Sequence, residues 1–348
     1  MNIAFIYYSF YPVIGGASVH GYNLAKELSQ LGYNLFKING EPDPHTTKLQ
    51  NPVTGLVWML RNCDLFYIRM DYFFNLRNLV LLPALLFGKK IIVELNSPSD
   101  ELHLFGKSEK QIRRVDRLFR YFLKKVDSVV VVSEPIKEYC SEALGLTNIQ
   151  VIENGGEIFT PNPDDISPAV KEKISDIKAT FDRLVVWSGS INKMQDLETI
   201  QKIQRAISEN SALLLIIKEE KVGDKKELEI DSDNLFVFNN LARKDVAYII
   251  SESDVGLAFY NDYSWSRWGF YNSSLKIYEF LSNGLLTITN TQGTDRQRRY
   301  PNFKSVDTIS QSEQYIKAGF SKDIEYSKRT WKIVAEETSG LIENIMKN

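Results

Sequence analysis

The chain has little that would place it among secreted, membrane-spanning or nucleic-acid-binding proteins. It has two cysteines, Cys63 and Cys140, far apart and without metal-type spacing. That excludes a disulfide or zinc framework and suits a reducing compartment. It has no long apolar run. The most apolar stretch, "LVLLPALLFG" (79–88), is about half the length that a membrane-spanning helix needs, so it reads as a core helix with a proline near its start. A net charge of −2 over 348 residues gives no global bias toward nucleic acid or membrane, so any basic patch must be local. There is no internal repeat and no low-complexity tract. The first residues, "MNIAFIYYSFYP", lack the basic region and small-residue cleavage site of a signal peptide and read as a buried first strand. A cytoplasmic protein is expected.

What the chain does have is strand–helix alternation. "IAFIYYSF", "DLFYIRM", "KKIIVELN" and "DSVVVVSE" are continuous apolar runs, the mark of parallel strands buried on both faces. Between the first two, "SVHGYNLAKELSQLG" puts Val19, Leu24, Leu28 and Leu31 near one helical face and stops at Gly32. A polar, proline-bearing stretch, "FTPNPDDISPAVKEK" (159–173), reads as a linker. Alternation then restarts with "RLVVWSG", "ALLLIIK", "NLFVFNN", "DVGLAFY" and "LLTITN" as strands, and "DLETIQKIQRAI", "VAYIISES" and "SSLKIYEFLS" as helices. "YSKRTWKIVAEETSGLIENIM" is a long terminal helix. The expected architecture is α/β: two doubly wound Rossmann-like domains, 1–165 and 166–348, facing a central cleft. The terminal helix is expected to pack back on the first domain.

Several local patterns carry chemistry. Gly15 and Gly16 lie between the first strand and a helix, where backbone can approach a ligand and a helix N-terminus favours anions, although a plain tight turn reads equally well. Glu94, Asn96 and Ser97 end a strand, and Glu94 and Asn96 are the catalytic candidates. A lone histidine such as His20 is more often structural. Gly189 ends the strand "RLVVWSG", and with Ser190 and Lys193 after it can cradle a pyrophosphate through backbone amides and a point charge. Ser273, Ser274 and Leu275 offer amides at the start of the helix "LKIYEFLS". The aromatic stretch "YNDYSWSRWGFYN" (260–272) suits stacking on sugar faces. Asp231 and Asp233 lie in a charged run and read as a solvated turn, so no metal is assigned. Residues 107–126 hold eight basic and two acidic residues, a local net of +6. At helical spacing Ile112, Val115, Phe119, Phe122 and Val126 turn inward, while Arg113, Arg117, Arg120 and Lys124 face solvent.

In order along the chain, "YPVIGGASVHGYNLAKELSQLGYNL", "IQVIENGGEIFTPNP", "VVWSGSINK", "SSLKIYEFLSNG" and "EYSKRTWKIVAEETSGLI" resemble the motifs of the family-4 retaining glycosyltransferases, which have the GT-B fold. The resemblance implies transfer of a sugar from a nucleotide-sugar donor to a glycan or lipid-linked acceptor, without metal or other cofactor. It implies that Glu279 grips the ribose hydroxyls and that Ser273, Ser274, Leu275 and the glycine loop hold the diphosphate. The family's first motif glutamate is replaced by Tyr271, so Tyr271 and Asn272 become the donor-sugar candidates. The family's loop arginine is Ser190 here, and its sugar-touching histidine is Asn96. Surface-polysaccharide assembly, with peripheral contact to an anionic membrane through Arg113, Arg117, Arg120 and Lys124, is the expected setting; nucleic acid is not a partner. The alternatives are a sugar-nucleotide epimerase or hydrolase on the same fold, or a catalytically silent GT-B partner subunit.

Overall fold

A computed structural model of the chain describes residues 1–7, 11, 13, 16–72, 76–218, 232–268, 274–291, 298–320 and 328–347. Two compact units emerge. The first comprises Met1–Gly155, Ser264–Leu275 and Trp331–Asn348; the second comprises Gly156–Tyr263 and Lys276–Thr330.

The first unit is a seven-stranded parallel sheet in the order β3-β2-β1-β4-β5-β6-β7. Its strands are β1 (Asn2–Ile6), β2 (Asn34–Lys37), β3 (Thr47–Lys48), β4 (Leu65–Arg69), β5 (Lys90–Leu95), β6 (Ser128–Val131) and β7 (Ile149–Val151). The helices α2 (Pro52–Asn62), α3 (Leu76–Leu86), α4 (Glu109–Leu123) and α5 (Glu134–Glu142) bury Met59, Val80, Phe119 and Tyr139 in one core. On a separate core, α1 (Gly16–Gln30) packs Leu24 and Leu28 with Trp331 and Val334 of the terminal helix (Trp331–Lys347). Strands buried on both faces are mainly apolar, which is why "IIV" and "VVV" carry no alternation; Glu94, near the end of β5, is the charged exception.

The second unit is a six-stranded parallel sheet in the order β10-β9-β8-β11-β12-β13. Its strands are β8 (Arg183–Ser190), β9 (Ser211–Lys218), β10 (Leu235–Asn239), β11 (Val255–Ala258), β12 (Leu286–Thr289) and β13 (Phe303–Ser305). Its helices are α6 (Pro168–Thr180), α7 (Leu197–Ala206), α8 (Arg243–Glu252), α9 (Leu275–Ser282) and α10 (Ile309–Ala318), the terminal helix being α11.

Several sequence expectations change here. Leu31 lies just past the end of α1 and is exposed, so the apolar face stops at Leu28. The proline of the apolar stretch, Pro83, falls late in α3 because the helix starts at Leu76. Nor is α3 a core helix throughout: Leu79, Leu82 and Leu86 are exposed, Leu86 at 77%, as is Phe87. Much of the expected linker is helix: Ser167-Pro168 begins α6, whose Val170, Ile174 and Ile177 are core. Proline at a first helical position has the right φ and no donor to lose, so it starts a helix there. Gly189 and Ser190 are paired within β8, opposite Ile217 and Lys218, so the turn begins later than the sequence implies.

The α4 pattern holds: Ile112, Phe119, Leu123 and Val126 are buried, Val115 and Phe122 partly so, and Arg113, Arg117, Arg120 and Lys124 exposed. Leu118 and Tyr121 are also exposed on this helix. Among the described residues, no helix is long and apolar enough to cross a membrane.

Candidate functional site

In an open parallel sheet, ligands gather beyond the strand carboxyl ends where the strand order reverses. In the first unit that point lies between β1 and β4, and in the second between β8 and β11.

At the first switch point the sheet encloses a carboxylate. Glu94, in β5, is 1% exposed. Its Oε2 accepts from the hydroxyls of Tyr7 at 2.5 Å and Tyr67 at 2.8 Å. Its Oε1 faces His20 Nε2 at 3.2 Å and Arg69 Nε at 3.8 Å. His20 meets Asn154 Oδ1 at 2.7 Å through its other ring nitrogen and packs edge-on against Trp331. Burial alone would raise the Glu94 carboxyl; the charge and hydrogen bond of His20, with Arg69 and the Tyr7 hydroxyl, outweigh it and hold the group at about 2. Burial and the same carboxylate push both tyrosine hydroxyls well up. Glu94 is thus an ionised hub whose Oε2 is hydrogen-bonded twice, while Oε1 lies in ion-pair range of His20 and Arg69 without a well-aligned hydrogen bond among the described residues.

Arg69 ends β4 with its side chain 17% exposed. Its guanidinium donates to the Ala17 carbonyl at 3.4 Å and lies 5.7 Å from the Tyr7 ring. Asn96 follows β5, and its Oδ1 is enclosed without a hydrogen-bond donor among the described residues. A buried acceptor left without a partner calls for a donor from elsewhere. The Ser97 carbonyl accepts from Tyr72 at 2.7 Å. Gly16 opens α1, and a Cβ there would sit 3.7 Å from Leu275 Cδ1. Leu275 packs its side chain on the α1 core.

The second switch point is built on α9. Two glycines let that helix sit close. A Cβ on Gly156 would lie 2.2 Å from the Tyr278 carbonyl, and one on Gly256 would lie 2.3 Å from the Phe280 ring. Glu279 is 8% exposed and accepts from Arg243 through Oε1. The same guanidinium reaches Glu157 Oε2 at 3.3 Å and lies 4.9 Å from the Phe159 ring centre. Among the described residues the second Glu279 oxygen has no side-chain partner. Burial would lower Arg243; the Glu279 charge and hydrogen bond, with Glu157, more than restore it and keep the ion pair intact. Lys276, one turn earlier, donates to Gln195 Oε1 at 2.7 Å, and its ammonium lies 4.5 Å from the Trp187 ring centre. Ser274 directly precedes α9.

After β8 the chain is tied down by its backbone. The Lys193 carbonyl accepts from the Asn261 amide at 2.8 Å and from the Tyr263 hydroxyl, and Asn261 also reaches the Gln195 carbonyl at 3.1 Å. The Lys193 side chain is exposed. The Asp196 carboxylate caps α7 by accepting from Thr199 N at 3.0 Å.

The structure thus brings Gly189, Ser190 and Glu279 into one unit with Lys276 and Arg243, which the sequence reading did not select. Gly15, Tyr271, Asn272, Ser273 and Asp231 lie outside the described residues. Of the aromatic stretch, residues 260–268 are described, and the contacts of Trp265, Arg267 and Trp268 lie within the first unit. Trp265 tilts against His103 with ring centres 5.4 Å apart, and Trp268 packs on Tyr139 at 5.2 Å in the first unit's core. Arg267 stacks on Trp268, pairs with Glu142 at 2.7 Å, and donates through its backbone to Asp100 at 3.0 Å. These contacts tie residues 265–268 to the first unit. Among the described residues no group of three or more histidine, cysteine or acidic side chains is placed to hold a metal ion.

No family model matches the sequence, and no curated protein does. Solved structures match it along its whole length. A glycosyltransferase from Rickettsia africae ESF-5 superposes with a TM-score of 0.65 at 14% identity, covering 100% of this chain and 99% of that one. The sucrose-phosphate synthase of Thermosynechococcus elongatus gives 0.63 at 13%, covering 99% of each chain. HepE of Anabaena, solved in complex with UDP-glucose, gives 0.64 at 13%, covering 100% and 97%. At these identities the likeness is one of fold, and the fold is GT-B.

Proposed function

We propose that the protein is a retaining, metal-independent glycosyltransferase that moves a sugar from a nucleotide-sugar donor, a UDP-sugar in the first instance, to a glycan or lipid-linked acceptor. The observation that carries this reading is the buried Glu279 at the second switch point, held by Arg243 through one oxygen. A carboxylate fixed in this way offers its other oxygen to the vicinal hydroxyls of a ribose. Backbone amides at Ser274 and the start of α9, with Gly189 and Ser190, receive the diphosphate. As the glycosidic bond breaks, these groups stabilise the leaving nucleoside diphosphate, and the acceptor hydroxyl attacks on the face the leaving group vacates, its proton passing to an oxygen of the departing diphosphate. HepE, of the same fold, was solved with UDP-glucose, which supports the choice of donor.

In the first unit Arg69 and Asn96 are the groups that meet the transferred sugar or the acceptor. Glu94 acts through Arg69: it is a positioning residue, because it is buried, its Oε2 is hydrogen-bonded twice and its Oε1 faces His20 and Arg69. The acceptor is lipid-linked and met at a cytoplasmic membrane face, in the assembly of a surface polysaccharide. The exposed basic face of α4, with Leu118 and Tyr121 among its charges and the exposed leucines of α3, supports this setting. Basic residues near an anionic surface contribute about 1 kcal/mol each, screened by salt.

A thermal-shift series with uridine, guanosine, adenosine and thymidine diphosphates tests the donor site. A ligand that binds only the folded state raises the melting temperature. A concentration-dependent rise with uridine diphosphate is expected; no rise with any of the four overturns the reading.

A further inference from the structure

Glu279, Gly189, Ser190 and the amides of α9 do not account for Lys276, whose ammonium lies beside Gly189. A lysine at the start of a helix is ordinarily solvated. This one is turned inward at the β8–β11 switch point. Its ammonium lies 4.5 Å from the Trp187 ring centre and 5.7 Å from that of Tyr260, and it donates to Gln195 at 2.7 Å. A Cβ on Gly189 would sit 3.2 Å from its Nζ, so any residue other than glycine would crowd the amine. The ammonium therefore lies against the strand end where Ser190 stands in place of a cation.

The neighbours that surrounding elements bring to it among the described residues are uncharged: Trp187 and Gly189 from β8, Gln195 from the turn after it, and Tyr260 following β11. Glu279, on the same helix, acts on it only through space and is itself paired with Arg243. Among the described residues no carboxylate comes within ion-pair distance of Lys276. The amine is half-buried, and among the described residues it has no counter-charge within ion-pair distance.

We propose that Lys276 is the cation of this unit's anion site, that it meets the diphosphate of a nucleotide donor, and that it takes up a proton as the diphosphate binds. This rests on the reading of the second switch point as a nucleotide-sugar site. The physical basis is the cost of a partly buried charge set against aromatic rings without a carboxylate beside it. Burial disfavours the ammonium and pushes it down to about 7, with Glu279 offsetting part of that effect. A diphosphate set beside Nζ supplies the missing counter-charge and draws the amine back to its protonated form. Above pH 7 the free protein holds a largely neutral amine and the complex an ammonium, so binding consumes a proton. Affinity then falls as pH rises, by up to about tenfold per pH unit.

Calorimetric titration with uridine diphosphate at pH 8.5, in two buffers of different ionisation enthalpy, reads the proton uptake directly. At that pH the terminal phosphate, with a second pKa near 6, is fully ionised and adds none of its own. Wild type should take up close to one proton. Lys276→Met should bind at least tenfold more weakly with no uptake. Lys276→Arg, which keeps its charge at every accessible pH, should bind without uptake and with little dependence on pH between about 7 and 9. Circular dichroism confirms that each variant is folded before titration. Binding by wild type without proton uptake, or equal affinity in Lys276→Met, overturns the proposal while leaving the donor site standing. Failure of wild type to bind uridine, guanosine, adenosine or thymidine diphosphate removes both.

Discussion

Replacing Glu94 with glutamine tests the first unit's network, because the change removes one charge and almost no volume. The carboxylate is held at about 2 against an ordinary 4.5. Each pH unit between those two values is worth about 1.4 kcal/mol, so this ionisation stabilises the folded state by roughly 3 kcal/mol at neutral pH. A depressed carboxyl contributes fully above its unfolded value and loses that contribution as pH falls toward the folded one. The difference between wild type and Glu94→Gln should therefore be about 3 kcal/mol at pH 7 and about half that at pH 3, vanishing as wild-type Glu94 protonates near pH 2. The variant also places an amide where two hydroxyls, an imidazole and a guanidinium converge on oxygens, which sets the neutral-pH loss within the range for breaking a buried ion pair, about 3–5 kcal/mol. Urea unfolding at a series of pH values, followed by the fluorescence of Trp331, whose ring packs on His20, gives the numbers. A difference that stays the same from pH 7 to pH 3 would refute the electrostatic argument and assign the loss to packing.

Glu279→Ala should weaken nucleoside diphosphate binding by about 1.5–3 kcal/mol without unfolding the chain, since it removes a charged acceptor; unchanged affinity by calorimetry would move the ribose site elsewhere. Gly156→Ala should destabilise the second unit by about 3 kcal/mol or more, because its Cβ meets the Tyr278 carbonyl at 2.2 Å, and a melting temperature equal to wild type would count against the close seating of α9. Donor turnover should persist in excess EDTA; loss in chelator with rescue by manganese would overturn the metal-free mechanism. Wild type should pellet with anionic vesicles at low salt, and the Arg113/Arg117/Arg120/Lys124 quadruple glutamine variant should not; equal pelleting of the two would leave α4 as plain structure and point to a soluble acceptor.

Strand identity is legible in the sequence because a strand buried on both faces is continuously apolar over most of its length, and runs such as "VVVV" and "LLLII" announce that directly. The α4 face is legible for a related reason, since its charges and apolar residues keep strict helical spacing. What escapes the sequence is non-local or hidden by composition. The stretch around Pro168 reads as a linker because proline and acidic residues cluster there, although Ser167-Pro168 is also how a helix begins. In α3, apolar content suggests burial, yet content alone does not say which neighbours will cover a helix, and Leu79, Leu82 and Leu86 remain exposed. The Glu94 hub joins Tyr7, His20, Tyr67, Arg69 and Asn154, from elements far apart in the chain, so no spacing rule links them. His20, read as structural, is part of that hub. Arg243 carries no local signal for its pairing with Glu279. Lys276 does have one: it interrupts the apolar pattern "LKIYEFL" three residues before Glu279, and a charge on the packed part of a short helix needs a reason to be there.

Acceptor-dependent transfer from a nucleotide sugar is the activity on which everything proposed for the site depends. Nucleoside diphosphate release, followed by chromatography and mass spectrometry from a panel of UDP-, GDP-, ADP- and dTDP-sugars, with and without a mixture of polyprenyl-linked and free glycan acceptors, measures it most directly. The expected result is release from one donor class that rises sharply with acceptor, together with a product one sugar heavier whose anomeric configuration matches the donor's. Release of free sugar or an altered sugar nucleotide at a rate unaffected by acceptor would contradict it, as would no release from any donor by a protein that binds the nucleotide.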